Sequence, residues 1–362
     1  MTAWRSKPTE GCASEYLLAL LGGVRLSGIG GIALSEIRRA RFAIRGGFAI
    51  SRGRKREAEV VVAVLGAVLP DGRPVRGRGE CVPYGRYGET VEGVAAAIAA
   101  AGPAIASGLD RAGLQTLMPA GAARNALDCA FWDLEAKAAD LPAWRLAGLN
   151  PPVPVATAFT LSLGTPDAMA AAARAAGMPL LKLKLGGGDD DIARVAAVRR
   201  AAPEARLIVD ANEGWSMAQL RALAPQLADL GVALIEQPLP AGADSALADY
   251  TCPAPLGADE SCHGIEELPE LRGRYQVLNL KLDKTGGLTA ALALKAAAEA
   301  AGFGIMAGCM VATSLSMAPA FLLAQGAEFV DLDGPLLLEQ DREPGAVYKG
   351  AWMQPPGTDV WG

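Results

Sequence analysis

From Lys184 to Lys281, one short apolar run after another carries a lysine or a carboxylate near its end, at intervals of roughly 22–26 residues. The runs are LLKLKL with Lys184, LIVDAN with Asp210, LIEQP with Glu236, PLGADES with Asp259 and VLNLKLDK with Lys281; further on comes FVDLDG with Asp331 and Asp333. A strand and its following helix consume about that much chain, so the spacing reads as one functional side chain per βα unit. A (β/α)₈ barrel gathers its site from the C-terminal ends of successive strands. The sequence offers eight apolar strand candidates, at 154–163, 180–185, 207–212, 234–238, 256–261, 277–284, 304–310 and 329–334. Ala-rich helical patterns separate most of them. One is DDDIARVAAVRRAA, whose leading aspartates suit a helix N-terminus. Eight such units favour a closed barrel over an open doubly wound sheet.

The chain has 362 residues, enough for a barrel of about 250 plus a smaller domain. Upstream of the barrel, ALSEIRRARFAI and EAEVVVAVLGAVL read as antiparallel strands joined by a basic connection, Gly46–Arg56. The second ends in a turn at Pro70–Gly72, and RGRGECVPY returns. Helical stretches follow in VEGVAAAIAAAGPAI and GAARNALDCAFWDLEAKAAD, the latter with Leu127, Phe131 and Leu134 on one face. The expected organisation is an extension at 1–34, an α+β domain at 35–150, the barrel at 151–335, and a segment at 336–362 that returns to the first domain. The extension's apolar stretch at Tyr16–Val24 is interrupted upstream by Glu10 and Glu15 and lacks a clear cleavage site, so it reads as a disordered extension or a misplaced start rather than a signal peptide.

Composition removes several function classes. Net charge is −5 with no long basic tract, which argues against nucleic acid. No apolar run approaches the ~20 residues of a membrane span. The six cysteines are scattered without a CxxC and read as free thiols in a reducing, cytoplasmic compartment. The chain has a single histidine, His263, so Ser–His, Cys–His and multi-histidine metal chemistry would all rest on one residue. Acid–base work falls to lysine or carboxylate.

Asp210, Glu236 and Asp259 end the third, fourth and fifth barrel strands. One such acid alone would be read as a helix cap. Three on consecutive strands, with no histidine or thiolate near, select a hard cation: Mg²⁺, with Mn²⁺ as a substitute. Lys182 and Lys184 flank Leu183 and share a face of the second strand. Like charges side by side near a cation are expected to depress each other's pKa, which suits a base. Lys281 lies on the sixth strand, with Asn279 and Asp283 on its parity; Lys284 has the opposite parity and reads as a loop or supporting group. The second and sixth strands lie half a circumference apart, so Lys184 and Lys281 face one another across the mouth. That arrangement suits a 1,1-proton transfer next to a metal-bound carboxylate. Asp331 and Asp333 share a face of the eighth strand and suit a substrate ammonium. The basic connection could close over the barrel and hold a distal carboxylate through an arginine, and YGRYGE could supply a second flap.

LKLKLG, VDANEGW, EQPLP, ADESCH, NLKLDKTGG, GCM and VDLDGPLLL resemble the enolase superfamily, muconate-lactonizing subgroup, and more narrowly its dipeptide epimerases. The resemblance runs from about residue 42 and leaves out residues 1–34. A lysine base with Mg²⁺ is a known feature of that superfamily, so the pairing is the family's. The resemblance implies an α/β fold, a TIM-like (β/α)-barrel modified as in enolases, with an N-terminal α+β capping domain. It implies Asp210, Glu236 and Asp259 as Mg²⁺ ligands, Lys184 and Lys281 as bases and Lys182 in support. Asp331 and Asp333 would bind the α-ammonium, with Thr160 and Arg52 as further substrate contacts. It implies a cytoplasmic isomerase that epimerises L-Ala-D-Glu from recycled murein peptide. Homo-oligomerisation stays open. So do another second-residue specificity, o-succinylbenzoate synthesis and N-acylamino acid racemisation, although the Asp331/Asp333 pair argues against substrates without an ammonium.

Overall fold

A computed structural model describes residues 31–186, 188 and 190–362. Most of the expected 1–34 extension lies outside the described residues, and its last two, Ala33 and Leu34, already belong to the first strand. Strand β1 (Ala33–Ile50) pairs antiparallel with β2 (Gly53–Val68), which pairs with β3 (Pro74–Cys81). The basic connection is therefore a strand ladder and not a loop. Pairing breaks between Ala43 and Phe48, resumes, and runs to Ile50↔Gly53, so Ser51 and Arg52 form the hairpin tip.

The helix Ala122–Ala139 packs on this sheet. Gly77 and Gly79 permit the close approach, since a Cβ on either would stand 2.1 Å from a helix carbonyl, Ala130 O or Ala126 O. Its Leu127, Phe131 and Leu134 join the sheet's core, as their shared face predicts. The opposite face is buried too: Cys129, Trp132 and Ala136 join the core around the barrel. Trp132 Nε1 donates to Thr289 Oγ1 at 2.9 Å, and Asn125 Nδ2 donates to Asp283 Oδ1 at 2.8 Å. This helix is the joint between the two layers.

The barrel sheet contains β5 (Phe159–Leu161), β6 (Leu180–Lys184), β7 (Arg206–Asp210), β8 (Val232–Glu236), β9 (Leu256–Ala258), β10 (Val277–Leu280), β11 (Gly304–Ala307) and β12 (Phe329–Val330), in sequential order. Every neighbouring pair is parallel. The sheet curls until its ends meet through one backbone bond, Ala158 N to Val330 O at 2.8 Å. The run expected as the first strand, 154–163, is divided in two. Val155–Ala156 (β4) leaves the barrel to pair antiparallel with Trp352–Met353 (β14), itself paired with Tyr348–Lys349 (β13). Inside the barrel, Ile208, Leu234, Val277, Met306 and Phe329 pack as a separate apolar cluster. It forms a dry floor that leaves only the C-terminal mouth for polar groups.

The tail also touches the first layer. Arg342 Nη2 reaches Glu80 Oε2 at 2.7 Å, Trp361 Nε1 donates to Cys129 O, and the Gly362 N–H donates to Asp133 Oδ1. No helix among the described residues is long and apolar enough to cross a membrane.

The sixth strand ends earlier than expected. After Leu280 the chain turns into a single helical turn, Leu282–Thr285, so strand parity does not extend to Asp283. Asp283 faces the helix joint, accepting from Val82 N at 3.0 Å and Asn125 Nδ2 at 2.8 Å, and burial pushes its carboxyl up to about 7. A raised carboxyl costs stability as pH climbs from the unfolded value toward the folded one, because only the unfolded chain has released its proton. Asp283→Asn keeps the acceptor for both donors. It is expected to be more stable than the parent at pH 8 and to lose part of the decline between about pH 4 and 7. Urea unfolding across that range checks this, and an unchanged pH profile would contradict it.

Candidate active site

The functional side chains stand on the last residue of a strand or just beyond it. Lys184, Asp210 and Glu236 close β6, β7 and β8, while Asp259, Lys281 and Asp331 follow β9, β10 and β12. The carboxylate oxygens of Asp210, Glu236 and Asp259 lie within 4.8 Å of one another, all buried. Three negative charges this close need cations, and lysines surround them. Lys184 Nζ lies 2.6 Å from Asp210 Oδ2, and Lys281 Nζ lies 2.6 Å from Asp259 Oδ2. Lys182 Nζ lies 2.8 Å from Glu236 Oε2, 2.9 Å from Asp331 Oδ2 and 3.4 Å from Asp210 Oδ2. Lys184 and Lys281 thus stand on opposite flanks of the triad, on strands separated by β7, β8 and β9.

The charges set the ionisation. Burial alone would raise Asp259, but Lys281 and Lys284 override it and hold the carboxyl well below its usual range. Asp210 goes down for the same reason, through Lys184 and Lys182. Glu236 goes the other way: burial and the Asp210 charge push it up to about 7. Burial opposes the Lys182 and Lys281 ammonium groups, yet Asp331 for the first and Asp259 for the second raise them above the normal lysine range. Lys182 is therefore not depressed as expected, because three carboxylates stand 2.8–3.4 Å from its ammonium.

A divalent cation fits this centre on its donor set. Among the described residues the buried side-chain atoms without a hydrogen bond are Asn212 Oδ1, Glu236 Oε2, Glu260 Oε2 and Asn279 Oδ1. Glu236 Oε2 is near Lys182 Nζ but not in hydrogen-bonding geometry. All four are oxygen acceptors, and each is on the triad or hydrogen-bonded to one of its members or to a residue adjoining it. The centre has a surplus of hard oxygen lone pairs, which a hard cation takes.

Asp331 and Asp333 both line the mouth, but differ. Asp331 is engaged by Lys182, while Asp333 Oδ2 accepts from Thr160 N at 2.6 Å. Thr160 Oγ1 also lies 3.4 Å from Asp331 Oδ1, so Thr160 holds the pair together. Burial and the Asp331 charge push Asp333 up to about 7, which marks a site short of one positive charge. Arg52 differs most from its expected role. Its guanidinium is already committed, to Glu213 Oε2 at 2.9 Å, Asn212 O at 2.7 Å, Glu260 Oε1 at 2.7 Å and Tyr84 OH at 3.1 Å. It fastens the hairpin tip to the mouth. Arg54 and Lys55, on the same hairpin, line the cavity, Arg54 donating to Gly46 O and Lys55 standing over the Tyr84 ring.

The cavity measures about 1240 Å³ and contains Lys182, Lys184, Asp259, Lys281, Asp331 and Asp333 beneath Tyr84 and Tyr87. His263 stands aside, stacked edge-on against Tyr87 with ring centroids 4.7 Å apart.

Three supporting residues escape a reading by strand spacing. Lys284 is buried and donates to Asp259 Oδ1 at 2.6 Å and Asn279 O at 2.8 Å, so it neutralises the triad from below. Gln237, in the left-handed region at φ 35, accepts from Asp259 N and Ser261 N and thereby aims Asp259. Asn212, at φ 45, links Asp210 Oδ2 to Glu260 Oε1. Strained backbone at such positions is characteristic of functional sites. For two of the three the signal was a polar residue one or two positions after an acid, Gln237 in EQP and Asn212 in DAN.

A family model described as "Enolase C-terminal domain-like" matches residues 166–356, and one for the "Mandelate racemase / muconate lactonizing enzyme, N-terminal domain" matches 35–148. The chain belongs to the enolase superfamily. It is 49% identical over 306 residues to an L-Ala-D/L-Glu epimerase of Escherichia coli, covering 83% of this chain and 93% of that protein. It is 48% identical over 289 residues to an N-acetyl-D-glutamate racemase of a Pseudoalteromonas species, covering 79% of this chain and 91% of that one. Among solved structures, it resembles an Agrobacterium tumefaciens enolase family member with bound sodium and L-Ala-L-Glu at TM-score 0.87 and 52% identity, over 91% of this chain and 100% of that one. An Enterococcus faecalis dipeptide epimerase complexed with Mg and L-Leu-L-Tyr follows at TM-score 0.81 and 30% identity, over 91% and 97%.

If the triad is the cation site, Mg²⁺ at about 100 times its Kd should add about 2.7 kcal/mol of stability. The gain should vanish in Glu236→Gln. Thermal unfolding with and without the ion reads this, and an equal gain in both proteins would place the cation elsewhere.

Proposed function

We propose that this chain is a Mg²⁺-dependent dipeptide epimerase that inverts the α-carbon of the C-terminal residue, with L-Ala-D-Glu and L-Ala-L-Glu as its substrate pair. The observation that carries the reading is the placement of Lys184 and Lys281 on opposite flanks of one buried acidic triad, inside one cavity. Asp210, Glu236 and Asp259 would hold Mg²⁺, which when bound would supply electrostatic stabilisation of the charge that develops on the substrate carboxylate.

The chain's own residues do the rest. Asp210 and Asp259 hold Lys184 and Lys281 as ammonium groups at 2.6 Å, and a buried ammonium whose carboxylate partner is engaged elsewhere would give up its proton more readily. One of Lys184 and Lys281 then removes the α-proton from one face, and the other, as the ammonium, returns a proton to the opposite face. Lys182 keeps Glu236 and Asp331 apart in charge and fixes the floor of the site. Asp333, with Asp331 and Thr160, takes the α-ammonium.

The buried Asp331/Asp333 pair supports a substrate with a free α-ammonium, such as a dipeptide of net charge −1 that ends in glutamate. N-acylglutamate carries one negative charge more and leaves Asp331 and Asp333 facing an uncharged acyl group, which is costly in a buried site. The similarity to an N-acetyl-D-glutamate racemase makes it the reading to test against. Arg54 and Lys55, rather than Arg52, are the cations placed to receive the distal carboxylate. Supply of the substrate by murein peptide recycling in the cytoplasm belongs to the same proposal.

In D₂O with Mg²⁺, L-Ala-L-Glu should acquire deuterium at the glutamate α-carbon and yield the L,D isomer, and EDTA should stop both. N-acetyl-L-glutamate racemised at an equal kcat/KM would contradict the dipeptide assignment. Asp333→Asn should raise KM for the dipeptide by roughly tenfold or more, the worth of a charge-assisted bond. An unchanged KM would remove Asp333 from the ammonium site.

A further inference from the structure

The hairpin tip and the Tyr84–Tyr87 turn both cover the mouth, and both are anchored on a residue that contributes nothing to the triad. Glu213 follows Asn212 in the loop after β7, in the left-handed region at φ 66, with its side chain only 8% exposed. Its carboxylate accepts from Arg86 Nε and Nη2 at 2.8 Å each, from Arg52 Nη1 at 2.9 Å and from Ala241 N at 2.8 Å. One carboxylate therefore joins four segments: the β7 loop that bears it, the hairpin tip through Arg52, the turn Gly85–Tyr87 through Arg86, and the loop after β8 through Ala241.

The alternatives to this anchor are few. Beyond Arg52, the tip touches the barrel through the Leu163 N–H to Ala49 O, the Ala49 N–H to Ser162 Oγ and Ser51 Oγ to Asn212 O. Among the described residues Arg86 hydrogen-bonds through its side chain to Glu213, and this fork–fork bond is the strong, directional kind. Tyr84 reinforces the arrangement by accepting from Arg52 Nη2 and carrying Lys55 over its ring at 5.1 Å. Removing the Glu213 charge loosens both covers at once: Arg86 loses its carboxylate, and the hairpin tip is left to the bonds of Arg52 with Glu260 Oε1, Asn212 O and Tyr84 OH.

We infer that Glu213 is a positioning residue, the common latch of the two covers, and that it sets how long a bound dipeptide is retained without taking part in proton transfer. The retention half of this rests on the dipeptide epimerase reading. The latch half does not.

Glu213→Gln preserves shape and the acceptor for Ala241 N, so the fold is retained, while the ion pairs to Arg52 and Arg86 are lost. Two readouts test it, with Arg86→Ala as a second variant that releases only the Gly85–Tyr87 turn from Glu213. The first is limited trypsin cleavage within 52–56, where four basic residues stand at the hairpin tip. Cleavage there should quicken about tenfold or more in Glu213→Gln, the worth of a lost charge-assisted contact, and stay near the parent's rate in Arg86→Ala, where Arg52 keeps Glu213. The second is the split for L-Ala-L-Glu: KM should rise by a similar factor while kcat changes little. Unchanged cleavage in Glu213→Gln overturns the latch, and faster cleavage with unchanged KM overturns its role in retention. The cleavage arm needs no turnover, so an inactive parent whose Glu213→Gln variant is cut faster contradicts the epimerase reading and leaves the latch standing.

Discussion

The architecture answers one electrostatic problem: three carboxylates with oxygens within 4.8 Å of each other in a buried barrel mouth. Like charges at such distances repel strongly in a medium of low polarisability, and burying them without partners costs several kcal/mol per ion. The sequence resolves this with cations on the neighbouring strands. Lys182 reaches across from β6, Lys281 stands at the end of β10, and Lys284 supports Asp259 from the following turn. The same groups that neutralise the triad are the ones suited to move a proton, so the site's stability and its chemistry rest on a single set of contacts.

Curvature makes those contacts available. Residues that are 26, 26, 23 and 22 positions apart from Lys184 to Lys281 come together because the parallel register sets Lys184, Asp210 and Glu236 side by side, with Asp259 and Lys281 one residue past the ends of their strands. Below these residues Ile208, Leu234, Val277, Met306 and Phe329 exclude water. Above them, the antiparallel layer sends its hairpin over the rim, where Arg52 is held by Glu213 and Glu260. The helix Ala122–Ala139, buried on both faces, keeps the two layers in register.

Strand spacing made the triad, Lys184 and Lys281 legible, since period and residue type suffice when each functional group ends an apolar run. The parity argument failed where the backbone left the strand early. Leu282–Thr285 turns helical and rotates Asp283 toward Asn125, while Lys284, read as a loop or supporting group, supports Asp259. Arg52 shows a different limit. A basic segment announces that cations face the site, but which of them is already consumed by a carboxylate depends on long-range partners such as Glu213, 161 residues away in sequence. Gln237 and Asn212 were hidden for a related reason: their work is done through left-handed backbone and bonds to the acids beside them, which no spacing rule records.

The central claim is that Lys184 and Lys281 address one carbon from opposite faces. It is tested most directly by following deuterium wash-in with stereochemically pure L-Ala-L-Glu and L-Ala-D-Glu in Lys184→Ala and Lys281→Ala. The account predicts that neither variant epimerises, and that each exchanges the α-proton of one isomer only, with opposite preference. Exchange of the same isomer by both variants, or of both isomers by either one, would contradict it.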